Sequence, residues 1–383
     1  PAPAPAPAPA TTLLVATRKG AWFFHSDKAR RRWTADCPHV LGHRISHVQA
    51  DPRAPGTLLA ASRNGHLGRT VSRSTNGGNT WAEAQRTPAF QKAADGSGRV
   101  VNHHLRLTPD HGSEPGRWYL GTSPQGIFRS GDGGMTWDGL PDINSNPQYR
   151  TWMGAEQDGT PDGPKPHSLI TDPRNPLHLY FGMSSGGVHE SLDGGATWQA
   201  LCDGLSVVEG LDASNLSFNH PHVLRPCPGQ PGGLYPQNHC GIYRLDRPGR
   251  QWLRIGLKMP KRVGDIGFPL VVHPRDANTC RIFPMDGTDV WPRTAADGKP
   301  AAYRTQNGGK TWQRLDAGLP TEQAWWTITH QAMAIDSHAK PALCVGNSGG
   351  ELWIGSNSGE PLRCTARHLP EIYAVEAVTT LGL

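Results

Sequence analysis

Histidine is the side chain to follow in this sequence. Three similar runs begin with it: His104-Leu105-Arg106-Leu107, His167-Ser168-Leu169-Ile170 and His222-Val223-Leu224-Arg225. Aligned on a downstream Asp-Pro turn, Gln331 and Ser46 hold the same place in two further runs. His43, His47, His103, His220 and His330 lie within a few residues of that place, and His239 falls in a turn expected on the same face. Neutral imidazoles are natural ligands for Zn, Fe or Cu. Three of them with one coordination position left open would activate water or oxygen. The first expectation is therefore a transition-metal site built from His104, His167 and His222, helped by His43, His103, His220 and His330. No nucleotide cofactor is expected. Two other roles fit the same histidines: metal-free acid–base work or ligand binding, and hydrogen bonds to the backbone around a wet channel.

Other candidates lie in long polar loops, where function usually sits on a rigid scaffold. Segment 141–165 holds Tyr149, Arg150, Trp152 and Glu156, and segment 317–329 holds Glu322, Trp325 and Trp326. Glu371 and Tyr373 come near the end, and Asp265 opens a strand. Tyr149, Arg150, Glu156, Asp265 and Glu371 are expected to catalyse. Arg44, Trp152, His239, Trp325, Gln331 and Tyr373 are expected to bind ligand. An arginine beside aromatics suits a carboxylate- or sugar-bearing molecule.

The elements that must position these residues announce themselves by repetition. Four segments share one pattern: Ser74-Thr75-Asn76-Gly77-Gly78-Asn79-Thr80-Trp81, Ser130-Gly131-Asp132-Gly133-Gly134-Met135-Thr136-Trp137, Ser191-Leu192-Asp193-Gly194-Gly195-Ala196-Thr197-Trp198 and Thr305-Gln306-Asn307-Gly308-Gly309-Lys310-Thr311-Trp312. Asp or Asn before Gly supplies the positive φ angles of a tight hairpin, and its side chain can bond the turn's own backbone. The tryptophans are 56, 61 and 114 residues apart, the last being two periods with Trp252 where a worn copy belongs. Upstream of the boxes, strand–turn–strand units surround Asp51-Pro52, Asp172-Pro173 and His273-Pro274. Together these predict blades at roughly 42–85, 100–140, 165–201, 219–256, 266–316 and 328–366. Thr12 to Asp36 reads as three strands lacking an inner one, and Ile372 to Leu381 as an inner strand lacking followers. Joined, they close a seventh blade and remove the exposed sheet edges. The expected fold is a single all-β, seven-bladed β-propeller over 12–383, preceded by an Ala-Pro arm over 1–11 that is extended and disordered.

The four boxes resemble the Asp-box (BNR) repeats of the sialidase-like superfamily, which also occur in xyloglucanases, sortilin-type receptors and photosystem II assembly factors. The resemblance implies the fold, and it implies that the boxes face away from the active site. Sialidase chemistry uses an arginine triad for a substrate carboxylate, a Tyr–Glu nucleophile pair and an Asp acid/base. The Phe/Tyr-Arg-Ile-Pro motif of the first arginine is absent here, and its nearest match is His43-Arg44-Ile45-Ser46. Family xyloglucanases use two propellers and are about twice this length.

Composition narrows the remaining classes. Charged residues are 18%, with 46 Gly, 35 Pro and 13 Trp, which suits short strands and many turns. The net charge of +6 is scattered, its one run being Arg30-Arg31-Arg32, so no nucleic-acid partner is expected. No apolar run is long enough to span a bilayer, and no membrane partner is expected. Seven cysteines without a CxxC pair read as reduced thiols, so a cytoplasmic location is expected, with an exported precursor as the alternative. Three functions follow. The first is a metal-dependent hydrolase or oxidoreductase acting on a small polar or anionic molecule. The second is a sialidase-like glycoside hydrolase without metal, which needs a carboxylate pair at the channel mouth. The third is a non-catalytic binding or assembly scaffold.

Overall fold

The computed structural model describes residues 11–36, 38–65, 68–147, 165–287, 293–355 and 361–379. They form seven four-stranded antiparallel sheets arranged as the blades of a propeller. The inner strands of the first six blades are Arg44–Ala50, His103–Pro109, Lys165–Thr171, Pro221–Cys227, Gly267–His273 and Met333–Ile335. The seventh blade pairs Ile372–Val378 with Thr12–Thr17, in register Thr12 to Val378 and Val15 to Val375, followed by Gly20–Ser26 and Trp33–Ala35. The first and last strands of the chain thus share one sheet, as expected.

Each repeated box joins the third strand of a blade to its fourth, and the hydrogen bonds explain the pattern. In the second blade the Ser130 hydroxyl accepts from the Gly134 amide (2.9 Å) and donates to Asp132 (2.8 Å). Asp132 accepts in turn from the Thr136 amide (2.9 Å) and hydroxyl (2.6 Å). Gly133 and Gly134 hold φ of 76° and 91°, where any side chain would be strained. Thr305 and Asn307 repeat the bonds to Gly309 and Thr311. The worn copy keeps the part that packs: the Trp252 indole donates to the Leu201 carbonyl (2.7 Å), as the Trp312 indole donates to the Ile255 carbonyl (3.1 Å).

The core lies between blades. Leu59 and Val71 of the first blade pack with Leu107, Trp118, Leu120, Phe128 and Trp137 of the second. At the turn after the inner strand, Arg53 forks onto Asp51 (2.7 and 3.0 Å) and donates to the carbonyls of Asp110, Glu114 and Arg117 in the next blade. This clasp ties the first blade to the second.

Candidate functional site

Six inner strands carry a register shift that leaves a residue unpaired: Ser46, Leu105, His167, His222, Phe268 with Pro269, and Tyr373. A bulge of this kind frees its extra residue to be re-aimed. Gln331 bridges to Ala374 at the same level. Ser46, Leu105, His167, His222, Phe268 and Gln331 each lie five residues before the position that leads into the following turn (Asp51, Asp110, Asp172, Cys227, His273 and Asp336).

This register corrects the anticipated alignment of the histidines. His167 and His222 are equivalent, but their counterpart in the second blade is Leu105, and His104 stands one residue earlier. It pairs with Thr122, is buried, and its Nδ1 lies 3.1 Å from the Thr70 carbonyl of the first blade. The second blade reads Pro109-Asp110 where the first and third read Asp-Pro, so alignment on the dipeptide slips by one. A one-residue slip turns a side chain to the opposite face of the sheet.

At the mouth the strands enclose a cavity of about 650 Å³. Its lining combines Arg18, Arg44, Lys165, Glu371 and Tyr373 with His103, His167, His330, Gln331 and Trp325. The Tyr373 hydroxyl donates to Glu371 Oε2 at 3.2 Å, and the Arg44 guanidinium lies 4.6 Å from the Tyr373 ring centre. Backbone bonds hold both residues: the Arg18 amide donates to the Glu371 carbonyl (3.0 Å), and the Thr329 hydroxyl to the Tyr373 carbonyl (2.9 Å). Burial pushes the Tyr373 phenol above its ordinary value although Arg44 opposes it, so at neutral pH the phenol keeps its proton. Among the described lining residues Glu371 is the one carboxylate, so the pair of facing carboxylates expected of a metal-free glycosidase is not found among them. Gln331 forms part of the cavity floor, its amide donating to the carbonyls of Leu105 (3.3 Å) and His167 (3.4 Å).

The histidines converge as a chain of rings. Centroids lie 4.9 Å apart for His167 and His330, 5.5 Å for His330 and His222, 5.6 Å for His222 and His239, and 6.0 Å for His239 and His220. Phe268 packs on His330 and His222. Several ring nitrogens already have partners: His222 Nδ1 with the Gly267 carbonyl (2.6 Å), His167 Nε2 with Ser184 (3.0 Å) and His220 Nδ1 with Ser185 (3.2 Å). Burial holds His167, His222 and His330 well below the ordinary histidine value, and holds His220 at about 4. Burial, reinforced by Arg44, Arg69 and Lys165, does the same for His103, at about 4. Among the described residues no group of three or more His, Cys, Asp or Glu side chains is arranged to hold a metal ion. The anticipated triad is dispersed by the register of His104, and His167 and His222 each pack against the His330 ring.

The other anticipated residues fall in different places. Asp265 is mostly buried in a two-bonded ion pair with Arg254 (2.8 and 3.0 Å), away from the cavity lining. His43 is partly buried outside that lining, its Nδ1 without a partner. His239 reaches Arg293 at 3.4 Å. Tyr149, Arg150, Trp152 and Glu156 lie outside the described residues. Arg18 and Lys165 line the mouth without having been anticipated. Arg18 occupies the turn between second and third strands of the seventh blade, the same kind of turn that drew attention to His239.

Below Gln331 lies a second charged tier. The Leu107 amide donates to His47 Nδ1 (3.3 Å), and His47 Nε2 lies 3.0 Å from Glu376 Oε1 and 2.8 Å from Arg106 Nη1. Arg106 also pairs with Glu376. Burial raises the Glu376 carboxyl, but Arg106 and His47 outweigh it and hold the group well below the carboxylate range. Burial and the nearby Arg106 push Arg225 down to about 9.

No known family profile matches the chain. It is 22% identical over 312 residues to an oligoxyloglucan-reducing end-specific xyloglucanase of Emericella nidulans, covering 72% of this chain and 34% of that protein. It is 27% identical over 292 residues to a xyloglucanase of Acetivibrio thermocellus, covering 71% of this chain and 32% of that one. The chain thus spans about a third of the length of these relatives. Among solved structures it resembles the GH74 xyloglucanase from Xanthomonas campestris, with a TM-score of 0.63, 19% identity, and coverage of 93% of this chain and 52% of that one. At that identity the likeness is one of fold: a seven-bladed propeller of the kind found in GH74 xyloglucanases.

Proposed function

We propose that the chain is a glycoside hydrolase that binds a saccharide over the channel mouth and works through Tyr373 and Glu371. One observation carries this reading: the 3.2 Å phenol–carboxylate hydrogen bond opening onto the cavity. The similarity to xyloglucanases over about seven-tenths of the chain supports a saccharide as substrate. The usual glycosidase plan needs two carboxyl groups flanking the bond, but a tyrosine can replace the nucleophilic one. In that plan the Tyr373 oxygen attacks the anomeric carbon as its proton passes to Glu371, the glycosidic C–O bond breaks, and the leaving oxygen takes a proton from water, leaving hydroxide. That hydroxide then displaces the sugar from Tyr373, and the tyrosine oxygen takes its proton back from Glu371.

The test is release of reducing ends from a panel that includes xyloglucan oligosaccharides. Glu371→Gln is expected to lower turnover by about 10²–10⁴-fold, the worth of a positioned acid–base group, while calorimetry still shows binding. Tyr373→Phe should do the same. Wild-type rates in both variants, or no cleavage of any glycoside, would sink the reading.

A further inference from the structure

At one rim of the same cavity stands an indole whose exposure needs a reason. Trp325 is 56% exposed and lines the cavity, whereas its neighbour Trp326 turns inward and packs against Trp353 with ring centres 5.3 Å apart. The segment is held on both sides of Trp325. The Ala324 amide donates to the Gly298 carbonyl (3.0 Å), the Ala295 amide to the Trp326 carbonyl (2.8 Å), and the Thr327 hydroxyl to the Arg293 carbonyl (2.8 Å). The ring is held as well. Its Nε1 donates to Gln323 Oε1 (3.1 Å), and a Cβ placed on Gly298 would lie 3.0–3.3 Å from three indole carbons, so the ring rests on bare backbone.

This support involves unfavourable backbone. Gln323 has φ of 52° and Asp297 has φ of 56°, left-handed values that non-glycine residues seldom adopt. Strain of this sort persists where the surroundings over-determine it, and it gathers at ligand clamps. A loop pin would bury its indole. Here a rigid one is left open toward the cavity.

We infer that Trp325 is a stacking platform for a sugar ring, and that the ligand is an oligosaccharide reaching from Tyr373 and Glu371 to that rim. The inference rests on the glycoside hydrolase reading and adds the size class of its substrate. A flat aromatic face offers apolar area and a defined orientation to the C–H face of a pyranose, with little rotamer freedom to lose. The cavity has the size of a site for a ligand larger than one sugar.

The experiment measures affinity by calorimetry for cello-oligosaccharides of one to six glucose units and for xyloglucan heptasaccharide, alongside cleavage of the same compounds. Wild-type affinity is expected to rise at least tenfold from one unit to the longer members. Trp325→Ala should flatten that rise while leaving the melting temperature and the affinity for glucose unchanged, and Trp325→Phe should restore part of it. Equal weakening of short and long ligands, or an unchanged length dependence in Trp325→Ala, overturns the platform even if cleavage is observed. Length-dependent binding that needs Trp325, without cleavage of any compound, supports the platform and removes the hydrolase reading instead.

Discussion

At the scale of single residues, burial decides which groups carry charge. His47, His103, His104, His189 and His220 sit near 4, all with burial as the leading cause, and His167, His222 and His330 are lower than their ordinary value for the same reason. The unfolded chain binds protons on these groups from about pH 6.5 downward, whereas the folded chain resists until about 4. Their contribution to stability is therefore complete above about pH 6.5 and is lost as the pH falls toward 4. Denaturant midpoints measured between pH 7 and pH 4.5 should fall steadily, and His222→Phe, which keeps the ring packing and removes the titration, should lessen the slope. A stability flat across that range would contradict neutral histidines. Arg44 offers a separate test, since it lines the mouth and stacks on Tyr373 without a hydrogen-bonding partner for its Nε. Arg44→Ala should weaken saccharide binding or turnover without changing the fold, read by kinetics and circular dichroism.

At the scale of elements, the blades are held by turns rather than by long strands. Asp132 bonds the amides of Met135 and Thr136 and the hydroxyls of Thr136 and Ser130. Since it is exposed, Asp132→Ala should cost about 1 kcal/mol, the net worth of such bonds in water. Gly134→Ala should cost about 1–3 kcal/mol, because φ of 91° strains any side chain there. Arg53 is largely buried and bridges two blades, so Arg53→Ala should cost about 2 kcal/mol or more through its charge-assisted bonds. Urea titrations check all three, and the ranking Arg53 above Asp132 is the informative part.

At the scale of the whole molecule, the ring is closed by one strand pairing. Ile372–Val378 bonds Thr12–Thr17 on one side and contributes Tyr373 and Glu376 to the channel, while Glu371 stands just before it. Deleting residues from 371 onward exposes a sheet edge and removes part of the mouth. The shortened chain should unfold at lower temperature, aggregate, and bind no saccharide. A soluble truncated chain with the wild-type melting temperature would show that the ring does not depend on this closure.

The number of blades, the shared seventh blade and the hairpin positions were legible because each box needs Asp or Asn, tandem glycine and tryptophan at set spacing. Those requirements are local, so one strand of sequence records them. Gln331, Tyr373 and Glu371 were visible as residues of the mouth for the related reason that inner-strand starts converge on the axis. The tertiary structure decided the rest. Bulges, set by pairing between strands, determine whether a residue faces the channel or the blade core, and they moved His104 out of the histidine group and placed Leu105 in its stead. Arg18 was not picked out although the seventh blade was, because only the folded ring sets its turn beside Glu371, whose carbonyl accepts from the Arg18 amide. Ring closure also brought Tyr373 and Glu371 into a cavity walled by Arg44 and Lys165 from other blades.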